Sequence, residues 1–317
     1  MINPQPGSSR MDSPKVTVII LTYNESKHIS RCIKSIAGLS ARVVIVDSYS
    51  NDSTCGIARE LGGEVSQNPF VNQAQQFQWA MDNCNITTEW VLRLDADETI
   101  DDELVGNIDS FIKANGRGHN GAIFHRKHIF LGKWVKHGGR YPLPMLRLFR
   151  RCTAHVEQRW MDEHIVLDEG SSCVLSGGFE DDNLNPVSWF IDKHNKYATR
   201  EMVDIMLKKL NPESESCITE GTGFSIRFKR FLKQSIYMKL PYFVRPFFYF
   251  CFRYFIQLGF LDGASGFAYH FMQGFWYRAL VDLKCMEIER EWSNCQSDAE
   301  KLAALEKMSG YKLAAIN

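Results

Sequence analysis

Neither charge is in surplus: Lys+Arg and Asp+Glu both number 37 in 317 residues. A protein that binds nucleic acid by neutralising phosphates over its whole surface needs a basic excess, so that class is excluded. There is also no C-x-x-C pair. The nine cysteines are scattered and odd in number, which excludes a zinc ribbon or thioredoxin-type motif. It also argues against a disulfide framework and for a reducing cytosol. The polar, proline-bearing start MINPQPGSSRMDSPK lacks the apolar core of a signal peptide, so the cytosol is the expected compartment. No internal repeat or low-complexity tract is present.

What the chain does have is apolar residues, 44% of the total, enough for one sizeable core. After a disordered start over 1–14, residues 15–210 alternate strand and helix. Val16 to Leu21 (VTVIIL) is a short β-branched run, the pattern of a strand buried on both faces. Ile29, Cys32, Ile33 and Ile36 then share one helical face. Val43 to Val46 is a second buried strand ending at Asp47, and Asn51-Asp52-Ser53 caps a helix that Gly62-Gly63 stops. Ala74, Phe77 and Met81 mark another helix. Trp90 to Leu94 forms a strand running into Asp95-Ala96-Asp97-Glu98, and Leu104, Ile108, Phe111 and Ile112 mark the next helix. Such alternation predicts an α/β fold with a parallel sheet covered on both sides. Shorter strands follow over Ala122 to Leu131, Met145 to Phe149 and His164 to Leu167, then a long helix over Trp189 to Leu210. Residues 211–223 (NPESESCITEGTG) read as a linker, and 224–317 as a helical region.

Ligands in parallel sheets bind beyond the carboxyl ends of the strands, where the polar clusters fall here. Asp95 and Asp97 follow a buried strand directly. Hard divalent cations take one or two such carboxylates and leave positions for substrate phosphates. Alone, a D-x-D pair reads equally as a solvated acidic turn at a helix start; its place in an α/β head favours the metal. Asp47 ends the second strand and Thr22-Tyr23-Asn24-Glu25 the first. A carboxylate there suits a ribose or base, and a flat aromatic suits a base face, although either position alone also reads as turn or cap. A nucleotidyltransferase would need a glycine-rich, basic loop after the first strand, which LTYNES is not. A non-catalytic membrane adaptor on this fold would lose Asp95 and Asp97.

VTVIILTYNES, VVIVDSYSNDST and WVLRLDADE, in this order and spacing, resemble the inverting GT-A glycosyltransferases of family two, and among them the bacterial lipopolysaccharide-core, capsule and exopolysaccharide members. The resemblance covers Lys15 to Leu210. It implies a Rossmann-like nucleotide-sugar domain in which Thr22, Tyr23, Asn24, Glu25 and Asp47 hold the nucleotide of a UDP-sugar. Asp95 would contact ribose or metal-bound water, and Asp97 would bind Mg²⁺ or Mn²⁺. The family's general base corresponds to Trp160-Met161-Asp162-Glu163-His164, with Glu163 first and Asp162 second. His164 would orient the acid or complete the metal shell, and Glu180-Asp181-Asp182 is a competing acidic cluster near which relatives carry a histidine. Arg140, Arg147, Arg150 and Arg151 are candidates for a diphosphate or a lipid-linked phosphate. Arg147 alternates with Leu146 and Leu148, which are expected to face the core, and Arg150 and Arg151 also read as a solvated strand face.

The end of the chain differs in kind. Between Phe224 and Lys284 lie 20 of the 39 aromatic residues, with nine basic side chains against Asp262 and Asp282. Tyr242 to Phe260 is about 20 residues of nearly spanning apolarity, yet it carries Arg245, Pro246 and Arg253. The expectation is a membrane-associating helical extension lying in the interface, aromatics in the acyl boundary and cations on anionic headgroups. A helical subdomain packing its aromatics inward is the alternative. Asp282 to Met308 reads as a solvated or partner-contacting end. The acceptor implied is a polyprenyl-diphosphate-linked saccharide, or else a lipid A core. The site of action implied is the cytoplasmic face of the inner membrane, reached through 224–284.

Overall fold

The computed structural model describes residues 14–157, 164–211 and 240–313. The chain divides into two compact units, one built from residues up to Ile129 with Pro142–Leu184, the other from Phe130–Tyr141 with Asn185 onward.

In the first unit the β-branched runs form β1 (Val16–Thr22), β2 (Ala41–Asp47), β3 (Glu64–Gln67) and β4 (Trp90–Asp95). Neighbours in the order β3-β2-β1-β4 pair in parallel. The connecting helices are α1 (Ile29–Ser35), α2 (Thr54–Glu60) and α3 (Gln73–Asn83), and α4 (Asp102–Lys113) follows the short β5 (Glu98–Ile100). Asn72 and Asp101 cap α3 and α4 by accepting from Gln75 N and Leu104 N. Both sheet faces are covered. Val18, Ile20 and Leu92 pack toward α1 and α4, whereas Ile19, Val44 and Val91 pack toward α3.

The expected parallel sheet is formed by these strands; the later ones depart from it. Beyond β4 lie β8 (Pro144–Arg150), antiparallel to it, and β6 (Gly121–Phe130), antiparallel to β8. Next comes β12 (Phe179–Asp182), parallel to β6, and then β5, antiparallel to β12; the remaining strands, β7 (Lys133–Val135), β9 (Ala154–Val156), β10 (Ile165–Leu167) and β11 (Ser172–Val174), are short. β5 and β12, too short to read from pattern, bring two acidic segments together. The result is a mixed α/β, Rossmann-like fold.

The second unit is helical: α5 (Val187–Leu210), α6 (Val244–Cys251), α7 (Gly263–Tyr269), α8 (Tyr277–Trp292) and α9 (Asp298–Ser309). The α5 face formed by Ala198, Met202, Val203 and Met206 packs with Val281, Cys285, Ile288 and Leu305. Packing thus places α5 in this unit, and the segment expected to be solvated supplies core residues. Asp282 is buried too, because its carboxylate answers the guanidinium of Arg245. The expected cations on headgroups are likewise inside: Arg245 and Arg253 are 5% and 6% exposed. Outward from α6 and the wider helical turn that continues it over Phe252–Ile256 point Phe247, Phe248, Phe252, Phe255 and Ile256. Among the described residues no helix is long and apolar enough to cross a membrane.

Candidate active site

Parallel register sets Thr22 beside Asp47 and Leu21 beside Asp95, so β1, β2 and β4 deliver their ends to one sheet edge. Asp47 is fully buried. It accepts from Thr22 Oγ1 at 2.9 Å, Ser50 N at 2.8 Å, Ser50 Oγ at 2.5 Å and Gln67 Nε2 at 3.2 Å. Burial alone would raise its pKa, but the donors from Ser50, Gln67 and Thr22 outweigh it and hold the carboxyl below its ordinary value. Asp47 is therefore an anion engaged from within, shaping the loop, while Tyr23 and Tyr49 are the exposed aromatics at these strand ends.

Asn24 takes φ 56°, a left-handed turn that Asn tolerates. Its N–H donates to Ser50 Oγ at 2.8 Å and its Oδ1 accepts from Asn51 N at 2.9 Å, clasping the loops after β1 and β2. Glu25 Oε2 lies 2.5 Å from His28 Nδ1, and His28 Nε2 accepts from Leu184 N at 2.9 Å. With Nε2 accepting, the proton of the neutral ring sits on Nδ1 and is donated to Glu25.

Asp95 and Asp97 both stand partly exposed at the end of β4. Asp95 Oδ2 accepts from Arg147 Nη2 at 3.2 Å, and Oδ1 is 3.7 Å from Arg93 Nη2. Burial works to raise its pKa, and Arg147 and Arg93 overcome that and hold it low. Glu98, three residues on, is 1% exposed and takes Arg147 Nη2 at 2.5 Å and the Asp95 N–H at 2.9 Å. Burial, reinforced by the charge on Asp95 and opposed by Arg147, pushes Glu98 up to about 8. Arg147 is thus spent on carboxylates. Expected to face a diphosphate or a lipid-linked phosphate, Arg147 is turned inward: β8 lies between β4 and β6, so the face opposite Leu148 is interior, and the guanidinium lies there over the Phe179 ring. Arg150 pairs with Glu89 and stacks on Trp90.

The acidic run on β12 joins the same site. Asn183 Nδ2 donates to Asp97 Oδ2 at 2.9 Å, and Asp182 N to the Asp97 carbonyl at 3.1 Å. Asp182 pairs with Arg31 at 2.6 Å, and Asp181 takes His128 at 2.9 Å and Arg126 at 3.4 Å. Among the described residues no three His, Cys, Asp or Glu side chains converge as a cation cage. Two partly exposed carboxylates still fit Mg²⁺ or Mn²⁺, which takes few protein ligands and keeps sites for phosphate and water. His164 is exposed, and its carbonyl accepts from Glu157 N at 2.9 Å. Asp162 and Glu163 lie outside the described residues.

Sequence reading missed Glu98 and Asn183 as parts of the site. The alternation Glu98-Thr99-Ile100 was the available signal for Glu98, since it puts the carboxyl on the face of buried Ile100. Asn183 had none, because β12 reaches Asp97 through pairing distant in sequence.

The model of the family described as Glycosyl transferase family 2 matches residues 17–176. An uncharacterized glycosyltransferase of Rickettsia conorii is 37% identical over 139 residues, 44% of this chain and 46% of that protein. The succinoglycan biosynthesis protein ExoA of Rhizobium meliloti is 26% identical over 196 residues, 51% of this chain and 59% of that one. The chain thus spans about half the length of such relatives. Among solved structures, a mannosyltransferase of Pyrobaculum calidifontis in complex with GDP-Man and Mn²⁺ covers 92% of both chains at 14% identity, with a TM-score of 0.45.

Proposed function

This chain belongs to glycosyl transferase family 2, and we propose that it moves a hexose or N-acetylhexosamine from a UDP-sugar to a saccharide on a polyprenyl diphosphate, inverting the anomeric carbon. The observation that carries this reading is the partly exposed Asp95–Asp97 pair at the end of β4, with Asp95 kept anionic by Arg147 and Arg93. Tyr23 offers its exposed ring to the base, and Thr22, Asn24, Glu25 and Asp47 shape the strand-end loops that hold the nucleotide. Asp97 and Asp95 would hold Mg²⁺ or Mn²⁺, which when bound offsets charge on the departing nucleoside diphosphate. Arg147 fixes the ionisation and direction of Asp95. Asn183 fixes the rotamer of Asp97. Glu163, with Asp162 as the alternative, takes the acceptor hydroxyl proton while that oxygen bonds the anomeric carbon and the bond to the diphosphate breaks.

The second unit brings the enzyme to a lipid-borne acceptor at the cytoplasmic face of the inner membrane. The outward Phe247, Phe248, Phe252, Phe255 and Ile256 support this. The test is transfer from labelled UDP-sugars into lipid-extractable product. Glu163→Gln should bind UDP normally and lose at least about a hundredfold in transfer. Retained transfer with loss in Asp162→Asn would move the base to Asp162; transfer retained in both variants, or a product of unchanged anomeric configuration, would overturn the reading.

A further inference from the structure

Within the second unit, the turn His137-Gly138-Gly139-Arg140 is pinned to the helix that carries the exposed phenylalanines. His137 N and Nδ1 donate to Asp262 Oδ2 and Oδ1 at 2.8 and 2.6 Å, and Gly138 N donates to the Gln257 carbonyl at 2.9 Å. The buried Arg253 donates from Nε to the Gly138 carbonyl at 2.8 Å, and its Nη1 lies 3.5 Å from Tyr249 Oη. Arg278 stacks on the same Tyr249 ring at 4.6 Å, and Arg140 lies 5.2 Å over Tyr269.

The two buried arginines of this helix differ in how their charge is answered. Arg245 has the carboxylate of Asp282. Among the described residues no carboxylate pairs with Arg253 or Arg140, and Arg140 Nε is buried with no hydrogen-bond partner. Asp262 is taken by His137. A buried guanidinium without a counter-charge is unfavourable, and its planar fork matches the oxygens of a phosphoryl group. The local field is positive by a second sign. Burial would raise the Tyr249 hydroxyl, yet Arg253, Arg278 and Arg140 bring it below its ordinary value. Half-buried Arg140, His137 and Arg278 give the cluster its opening to solvent.

We propose that Arg140 and Arg253, with Arg278 beside them, form a phosphate-binding site for the phosphoryl group of the acceptor's lipid carrier. The site rests on the lipid-linked acceptor reading for its ligand's source, not for its chemistry. The neighbour of Arg253 in the chain, Phe252, is exposed, as are Phe255 and Ile256. One short helical stretch therefore presents a phosphate-binding cation and an apolar surface for the attached chain.

The test uses the full chain in EDTA, so that a cation-dependent donor site is silent. Inorganic pyrophosphate is titrated calorimetrically, and flotation is measured with phosphatidylcholine vesicles with and without a long-chain isoprenyl phosphate. We expect the isoprenyl phosphate to raise vesicle binding, and Arg140→Gln and Arg253→Gln each to lower that gain about tenfold or more. UDP binding with Mn²⁺ should be unchanged in both. Arginine-dependent pyrophosphate binding without any vesicle gain would keep the site and assign it a free phosphate. Vesicle gain and pyrophosphate binding that are both indifferent to Arg140→Gln would overturn it. Should Arg253→Gln unfold by circular dichroism, half-buried Arg140 decides alone. Loss of UDP binding in the wild type, with the arginine dependence intact, would remove the donor reading and leave this site standing.

Discussion

Arg147 stands between two carboxylates that compete for it. It is held 2.5 Å from Glu98 and 3.2 Å from Asp95, and both Glu98 and Arg147 are sealed from water. Glu98, pushed up to about 8, is largely protonated at neutral pH, so Asp95 is the anion that Arg147 answers there, and Arg147→Met should lower unfolding free energy by about 1–3 kcal/mol. Urea denaturation measures this, and Arg147→Met/Asp95→Asn should recover most of it because the orphaned charge is gone. A loss below about 1 kcal/mol would mean the pair is solvated, as surface pairs are. A second residue sets a pH dependence. His270 is buried, and burial first, then Arg253 and Arg140 against the opposing Asp262, lower its pKa to about 4. The unfolded chain takes up this proton near pH 6.5 and the folded chain resists until about 4, so stability falls as pH drops through that window. The added slope in wild type over His270→Gln should approach about 1.4 kcal/mol per pH unit between those limits. Equal slopes would refute a neutral, buried imidazole.

Among elements, α4 lies close against the segment before β12. Gly177 has φ +120°, and a Cβ there would sit 2.5 Å from Leu104 N. Gly177→Ala combines a disfavoured backbone with a clash against backbone, and should cost at least about 2 kcal/mol, several degrees in Tm. Gly56 in α2 has nothing within 4 Å of its Cβ position, so Gly56→Ala should be neutral or stabilising by up to about 1 kcal/mol. Equal effects by thermal melts would contradict this packing. These elements were not equally legible. The runs VTVIIL, ARVVIVD and WVLRLD, buried on both faces, wrote β1, β2 and β4 plainly, and with them the edge where Asp47 and Asp95 sit. β5 and β12 have three and four residues, and their meaning comes from pairing across about 80 positions. No local pattern encodes that. Arg245 and Arg253 misled for a related reason. Charge on an aromatic helix suggests a wet face until Asp282 and the Gly138 carbonyl turn out to lie against it.

At the scale of the whole molecule, the chain carries a sheet that gathers carboxylates at one edge and a helical unit with an apolar exterior. If that exterior meets a bilayer, Phe248→Asp/Phe255→Asp should weaken flotation with anionic vesicles by at least about tenfold, each buried Phe contributing about 1.5–3 kcal/mol. Unchanged flotation would leave the phenylalanines to a protein partner. The narrower proposal is that Asp95 and Asp97 form a cation-dependent nucleotide-sugar site. Calorimetric titration of UDP, with and without Mn²⁺, into wild type and Asp97→Ala tests it most directly. Binding should require Mn²⁺ and disappear in Asp97→Ala. UDP binding of equal strength without the cation, or undiminished in Asp97→Ala, would contradict it.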